Sequence, residues 1–326
     1  MTTLSKKITS ALALMAGAIL VGCTPTEEAV NKTDNKESEP KTQLELTFGT
    51  MPATEAIPVY IAEEQGFFKE EGLDITVESF KAPTDREAAI SSGSLDGTIT
   101  DLIAFSNYRK NGLDWKLTSE AVGYFSIVSN NDEVKTLEDL SGKSIAYIQR
   151  QAPHYFLDEA MQTIGKTSED TVNEAIPQIP VRLESTANKQ VDATILPEPF
   201  RSMALQKGMH EIVRSDKLDI HPTGFAFTTD ALENKKEAVL AFYRAYNRAV
   251  DYMEAHDLDE YYSVLEEKIG FSPAIKDTFE LPKYTHAKPI NVDQFELAMK
   301  WAKAQGLYTE EWDQKDFINN IVTDVK

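Results

Sequence analysis

The chain has 326 residues, of which 41% are hydrophobic and 26% are charged, and its formal net charge is −20. This composition is typical of a globular protein with one or two domains. The negative charge, with no basic and aromatic run to offset it, argues against a nucleic-acid partner.

The first 43 residues predict an export signal followed by a tether. Lys6 and Lys7 precede an apolar stretch of about 15 residues, which is shorter than a membrane span and typical of a signal peptide over residues 1–22. The stretch ends in "LVGC", which resembles the lipobox of bacterial lipoproteins, and Cys23 is the only cysteine. Residues 23–43 then predict an acylated Cys23 and a disordered tether. An ordinary signal peptide that happens to contain a cysteine is the alternative.

From Leu44 onward, strand-like and helix-like segments alternate. The strand-like segments are 44–51, 73–80, 95–102, 143–149, 173–179 and 191–198. The helix-like segments are 57–72, 83–93, 153–165, 180–190, 235–256 and 291–306. Strands that take turns with helices predict parallel βαβ units and an α/β fold.

Two stretches of this pattern match at an offset of 96 residues, one starting at Arg86 with "REAAISSGSLDGTITD" and one at Arg182 with "RLESTANKQVDATILP". Asp, Thr and Ile recur in register in the two stretches, which predicts two lobes of related build. If the strand-like runs at 120–130 and 222–230 cross between the lobes, lobe one holds residues 44–123 plus 226–326. Lobe two then holds residues 124–225.

Polar side chains follow several of the predicted strands. Thr54 and Glu55 follow the first strand, Asp101 ends the third, and Glu198 follows "VDATILP". Ligands of open α/β sheets bind beyond the carboxyl ends of the strands, so we predict these four residues as ligand contacts. Capping of the next helix is the alternative for Thr54, Asp101 and Glu198.

The loop "YIQRQAPHYF" is the most polar strand-to-helix connection of lobe two. Gln149, Arg150, Gln151 and His154 lie together there, where a helix N-terminus and an arginine could bind an anion. Tyr155 and Tyr124 could stack on an aromatic heterocycle. A surface arginine, a structural histidine and core tyrosines are the alternatives. The five histidines have no metal-site spacing and no nucleotide-binding glycine motif occurs, so we expect neither a metal nor a cofactor.

"IPVYIAEEQGFFKEEGLDITV" and "VDATILPEPF" resemble motifs of the type II solute-binding lipoproteins of ABC importers. The resemblance extends from about Leu44 to Thr229, in the branch that binds thiamine-pyrimidine precursors, alkanesulfonates, taurine and nitrate. It implies a two-lobed clamshell of the periplasmic-binding-protein type II class, with a mostly parallel sheet and flanking helices in each lobe. It also implies a monomer that is not an enzyme, and that delivers a small molecule to an ABC permease and ATPase outside the cytoplasm.

The ligand class depends on the balance of charges among the candidate residues. Glu55, Asp101 and Glu198 against Arg150 favour an amino-bearing heterocycle, such as a pyrimidine-like vitamin precursor. An anion of the sulfonate, taurine or nitrate type is the alternative. A fold-related enzyme and a sensor lipoprotein that presents its ligand to a membrane kinase are alternative functions. The export signal argues against the enzyme, because the enzymes of this resemblance are cytoplasmic.

Overall fold

The computed structural model describes residues 44–326, and the predicted signal peptide, Cys23 and the tether lie outside the described residues. Within this range the strands form two five-stranded sheets, which α-helices cover. The strands are β1 Leu44–Thr50, β2 Leu73–Ser79, β3 Gly97–Asp101, β4 Trp115–Glu120, β5 Phe125–Ser129, β6 Ser144–Tyr147, β7 Val172–Ala175, β8 Ala193–Pro197, β9 His210–Arg214 and β10 Thr223–Thr228. The helices are α1 Ile57–Glu64, α2 Phe67–Glu70, α3 Pro83–Ser92, α4 Leu102–Lys110, α5 Ala152–Gln162, α6 Ile179–Ala187, α7 Phe200–Gln206, α8 Thr229–Asn234, α9 Lys236–Ala255, α10 Leu258–Val264, α11 Val292–Ala304 and α12 Gln314–Phe317.

The two sheets have equivalent strand orders, β2-β1-β3-β10-β4 and β7-β6-β8-β5-β9. In each sheet the first three strands are parallel, with Leu44 of β1 opposite Leu73 of β2, for example. The fourth strand, β10 or β5, is antiparallel to both of its neighbours. The prediction of a two-lobed α/β fold with mostly parallel sheets is therefore confirmed.

The chain passes between the sheets twice. β4 ends at Glu120 and β5 begins at Phe125 in the other sheet, so the strand-like run at 120–130 is two strands rather than one. β9 ends at Arg214, and β10 begins at Thr223 back in the first sheet. The exact lobe boundaries given above stay predictions.

The helix predicted over 57–72 is interrupted in its second half. Gly66 has a φ of 73°, in the left-handed region that glycine adopts without a steric penalty. The break separates α1 from α2. Phe68 then stacks on Phe242 of α9, with ring centroids 5.6 Å apart, inside the core of the first lobe.

The sequence repeat is a structural repeat. Residues 83 and 179 begin α3 and α6, and residues 97 and 193 begin the strands that follow, so both pairs keep the 96-residue offset. The Asp96 carboxylate accepts a hydrogen bond from the Thr47 backbone N–H at 2.9 Å. The Asp192 carboxylate accepts one from the Ser144 N–H at the same distance. Each aspartate thus ties the start of its strand to the neighbouring strand of its sheet.

Helix α11 packs against both lobes. On one side it contacts α4 of the first lobe. On the other side, the Trp301 indole N–H donates a 2.7 Å hydrogen bond to Asp158 of α5 in the second lobe, and its ring lies 5.6 Å from that of Tyr155. Among residues 44–326, no helix combines the length and apolar character needed to cross a bilayer.

Candidate functional site

A cavity lies where the carboxyl ends of strands from the two sheets meet. Residues at the ends of β1, β3, β6 and β8 line it, and its volume is about 90 Å³. This is room for a small molecule and not for a macromolecule. Most of the lining is apolar, with Phe125 and Ile148 among the residues of the second lobe. Its charged lining residues are Glu55, Arg86, Asp101 and Arg182.

Glu55 is a buried carboxyl group with a free acceptor. It belongs to a short 3₁₀ turn after β1 and is only 5% exposed, and its Oε2 has no hydrogen-bond partner among the described residues. The side chain lies on the backbone of Gly123, where an added Cβ would come within 2.3 Å of the Glu55 Cδ. Burial raises the pKa of Glu55 to about 7, although a backbone hydrogen bond and Arg86 oppose the shift. Glu55 therefore exchanges its proton near neutral pH.

Asp101 both caps a helix and lines the cavity. Its Oδ1 accepts a 2.7 Å hydrogen bond from the Ala104 N–H in the first turn of α4. Burial raises the pKa of Asp101 to about 6, against that hydrogen bond and the nearby positive charge of Arg86. Asp101 can therefore cap α4 and still face a ligand in the cavity.

Arg86 is occupied by groups of its own lobe. Its Nη1 donates to the Ile99 carbonyl at 2.9 Å, and its Nη2 donates to Glu87 at 2.7 Å. Glu87 also accepts from the Tyr108 hydroxyl at 3.0 Å. Burial alone lowers the pKa of Arg86, but Tyr108, Glu87 and Asp101 together raise it above its usual value. Arg86 therefore stays charged and compensated.

Arg182 lines the same cavity from the second lobe without such compensation. It is 2% exposed on α6, and its Nε and Nη1 have no hydrogen-bond partner among the described residues. Burial lowers the pKa of Arg182 to about 10, with no acidic group acting against it. The guanidinium is a buried cation with donors to spare.

The structure places Thr54 and Tyr124 next to the cavity lining rather than in it. The Thr54 carbonyl accepts a 2.7 Å hydrogen bond from the Tyr284 hydroxyl, and the N-cap of its turn is Ala53, so Thr54 is not the predicted cap. The Tyr124 ring lies 4.1 Å from the Arg214 guanidinium. Their ligand contacts stay predictions.

Glu198 lies outside the cavity lining and is fully buried. Its carboxylate accepts hydrogen bonds from the Ser202 N–H at 3.1 Å and hydroxyl at 2.9 Å, and from the Tyr124 hydroxyl at 3.0 Å. The Arg201 guanidinium lies 3.5 Å from it. These contacts fix the first turn of α7, as the capping alternative expects, and a ligand contact of Glu198 stays a prediction.

His154 and Gln149 open onto a second pocket, away from the cavity between the lobes. The Arg150 backbone N–H donates to His154 Nδ1 at 3.3 Å, which places the imidazole proton on Nε2. Nε2 then donates to the Ser168 hydroxyl at 2.9 Å. The Tyr155 ring lies against that of Trp301 on α11, and ligand contacts of Gln149, Arg150, His154 and Tyr155 stay predictions.

The same loop does reach the cavity, through Gln151 and two apolar residues. Ile148, Gln151 and Pro153 line it, whereas Gln149, Arg150 and His154 do not. Sequence reasoning also missed Arg86 and Arg182 as site residues. The sequence contained a signal for them, because Arg86 and Arg182 are the first residues of the two matching stretches.

Within residues 44–326, no group of three or more His, Cys, Asp or Glu side chains is arranged to hold a metal ion.

Residues 53–258 match the family described as "NMT1/THI5 like", which is more than half of the chain. The chain is 24% identical over 249 residues to the 4-amino-5-hydroxymethyl-2-methylpyrimidine phosphate synthase of Candida albicans (strain WO-1), covering 70% of this chain and 71% of that one. Its fold is similar to a ligand-binding component of an ABC-type import system from Staphylococcus aureus, solved with zinc bound (TM-score 0.75, 13% identity, 87% and 99% coverage). It is also similar to the periplasmic aliphatic sulphonate-binding protein SsuA of Escherichia coli (TM-score 0.71, 20% identity, 86% and 93% coverage).

These relatives correct one expectation and confirm another. The expectation that the protein is not an enzyme is wrong as an inference from the family, because the Candida albicans relative is named as a synthase. The resemblance to binding proteins of ABC importers is confirmed at the level of fold. The chain belongs to the NMT1/THI5-like family and has the two-lobed fold of the periplasmic binding proteins.

Proposed function

We propose that the protein captures a small metabolite outside the cytoplasm and delivers it to an ABC importer, as a lipid-anchored monomer. The observation that carries this proposal is the cavity between the lobes, where buried charged side chains retain atoms with no hydrogen-bond partner among the described residues. Buried polar atoms are nearly always paired in folded proteins, so a bound molecule is the natural partner for these.

A ligand in this cavity would bridge the lobes. Glu55 and Asp101 face it from the first lobe, and Gln151 and Arg182 face it from the second. A molecule that contacts both walls stabilises the closed arrangement of the lobes over an open one. The two chain passages between the sheets, near residues 121–124 and 215–222, are where a hinge motion would act.

The first-lobe wall favours a ligand with an amino group. Glu55 Oε2 is an unused acceptor, and the carboxyl group loses its proton near pH 7. The apolar lining, with Phe125, suits a flat heterocycle. An aminopyrimidine has both features, and the Candida albicans relative is named as the synthase of an aminopyrimidine phosphate. We therefore favour a pyrimidine-like vitamin precursor as the cargo.

The predicted export signal and the lipobox-like "LVGC" that ends at Cys23 support the location and the anchor. Acyl chains on Cys23 would hold the domain at the outer face of the membrane, where the permease and its ATPase receive the cargo. The import-system component of similar fold supports the transport role.

Native mass spectrometry of the protein purified from its host tests the proposal. We expect one small molecule of metabolite mass per chain, lost on denaturation. Adding that molecule back, or 4-amino-5-hydroxymethyl-2-methylpyrimidine as a first probe, should raise the melting temperature. An empty protein, together with no shift from a panel of aminopyrimidines, sulfonates and amino acids, would rule the proposal out.

Synthesis of a pyrimidine on the same scaffold is the second candidate function, because the Candida albicans relative is named for that activity. The two candidates differ in the fate of the bound molecule. Capture predicts that the molecule leaves the cavity unchanged in mass after incubation. A new pyrimidine phosphate formed by the purified protein would favour the synthase.

A further inference from the structure

We propose that the metabolite carries an anionic oxygen group, a carboxylate, phosphate or sulfonate, and that Arg182 binds it. The inference rests on the proposed function, because it names the class of molecule that the same cavity takes.

The first argument is the burial of Arg182 without a partner. Its side chain is almost fully buried, and none of the described ion pairs or hydrogen bonds includes its guanidinium. A charged group taken out of water costs free energy unless an opposite charge and hydrogen bonds replace the solvent. A guanidinium with free N–H donors inside a ligand-sized cavity is arranged for the oxygens of an anion, which it binds in a fork geometry.

The second argument is the repeat, which shows what Arg182 lacks. Its equivalent, Arg86, is compensated by Glu87 and Asp101. At the 96-residue offset, Glu87 corresponds to Leu183 and Asp101 corresponds to Pro197. The second lobe thus keeps the arginine and has neither of its acids, so the counter-charge has to come from a molecule in the cavity.

The third argument is the distribution of charge across the cavity. The acidic lining residues, Glu55 and Asp101, both belong to the first lobe. Apart from Arg182 and the neutral Gln151, the lining of the second lobe is apolar, with Ile179 one turn earlier on α6 and Pro197 at the end of β8. An anionic group is repelled by the first wall and attracted by Arg182. The cavity therefore orients a dipolar molecule, with its amino end towards Glu55 and its anionic end towards the second lobe.

The test compares matched pairs of probes that differ in one anionic group. The pairs are 4-amino-5-hydroxymethyl-2-methylpyrimidine phosphate with the free alcohol, 4-aminobenzoate with 4-aminobenzamide, and benzenesulfonate with benzenesulfonamide. Binding to the full mature protein is measured by isothermal titration calorimetry for the wild type and Arg182→Met. Lys207→Met is the control, because Lys207 is an exposed cation of the same lobe that pairs with Glu184 at the surface.

We expect the anionic member of at least one pair to bind the wild type at least tenfold more tightly than its neutral partner. Arg182→Met should abolish that preference, and Lys207→Met should retain it. Equal binding of both members, or a preference that survives in Arg182→Met, would overturn the inference while leaving capture of a neutral metabolite intact. If no probe binds, the inference is wrong for carboxylates, phosphates and sulfonates. The proposed function is then tested separately, by native mass spectrometry of the protein purified from its host.

Discussion

Arg86 in the first lobe and Arg182 in the second occupy equivalent positions of the repeated helix, and both line the cavity. Arg86 donates to Glu87 and to the Ile99 carbonyl, so its charge is satisfied within its own lobe. Arg182 has no such contacts and remains a buried cation with unpaired donors. The same residue thus stabilises one lobe and is available to a ligand in the other.

The repeat is preserved where it holds the sheets together. The Thr98 hydroxyl donates to the Gly49 carbonyl at 2.9 Å, and the Thr194 hydroxyl donates to the Ala146 carbonyl at 2.8 Å. Both contacts tie the third strand in the sheet order, β3 or β8, to the second, β1 or β6. The two lobes therefore share the polar contacts that build the fold and differ in those that face the cavity, which is where a duplicated scaffold can acquire specificity.

The largest expected effect is that substitution of the two arginines changes the free energy of unfolding in opposite directions. Arg86→Met should lower the free energy of unfolding by about 3 kcal/mol, because it leaves a buried acid uncompensated. Arg182→Met should raise the free energy of unfolding of the ligand-free protein by about 1 kcal/mol, because it removes an unpaired buried charge. Urea denaturation of the two variants measures both effects. Equal destabilisation would mean that Arg182 has a protein partner and that the comparison is wrong.

The acids of the cavity extend the comparison of the two lobes to the pH dependence of stability, because both acids lie on the first lobe. Burial raises the pKa of Glu55 from 4.5 to about 7, so between these values the folded protein holds a proton that the unfolded chain has released. The stability that Glu55 contributes is therefore complete below pH 4.5 and is lost as the pH rises through 7. Over that range the wild type should lose up to about 3 kcal/mol more than Glu55→Gln, without ligand.

Melting temperatures at pH 4.5, 6 and 8 for the two proteins provide the measurement. Asp101, whose pKa burial raises to about 6, shifts stability in the same direction in both proteins and cancels in the difference. Parallel profiles for the wild type and Glu55→Gln would show that Glu55 titrates as a solvated carboxyl group.

The smallest expected difference lies between the two structural aspartates. Asp96→Ala and Asp192→Ala should each lower the free energy of unfolding by about 2 kcal/mol, because each removes an ionised acceptor of a backbone N–H. Asp96 also binds Lys235 at 2.8 Å, and Asp192 binds Asn131 at 2.8 Å, so the two losses should agree within about 1 kcal/mol. A much larger loss in one lobe would show that the repeat is not energetically equivalent.

The order of strands and helices could be predicted from the sequence, because alternating patterns and the repeat are local signals. α3 and α6 begin within one residue of the predicted helices, and β10 falls inside the run at 222–230. The break at Gly66 was not predicted, because the apolar pattern continues across it. The division of the run at 120–130 between two sheets also depends on partners that are distant in the chain.

The candidate site could be predicted as a set of loops but not as a set of side chains. Glu55 and Asp101 line the cavity, because they sit at strand ends where the backbone already points to it. Glu198 also follows a strand, yet its carboxylate turns to Ser202 and to Tyr124, which is 74 residues away. Which polar side chain faces the cavity is decided by such distant partners, and a single sequence does not contain them.

The position of Trp301 makes its fluorescence sensitive to a movement of the lobes. It belongs to a helix that packs on α4 of the first lobe, while its indole N–H binds Asp158 of the second and its ring lies 5.0 Å from that of His154. A rotation that separates α11 from α5 would expose the indole to water and shift its fluorescence to the red. With Trp115 and Trp312 replaced by phenylalanine, the protein would carry its own optical reporter of opening, and no dye would be needed.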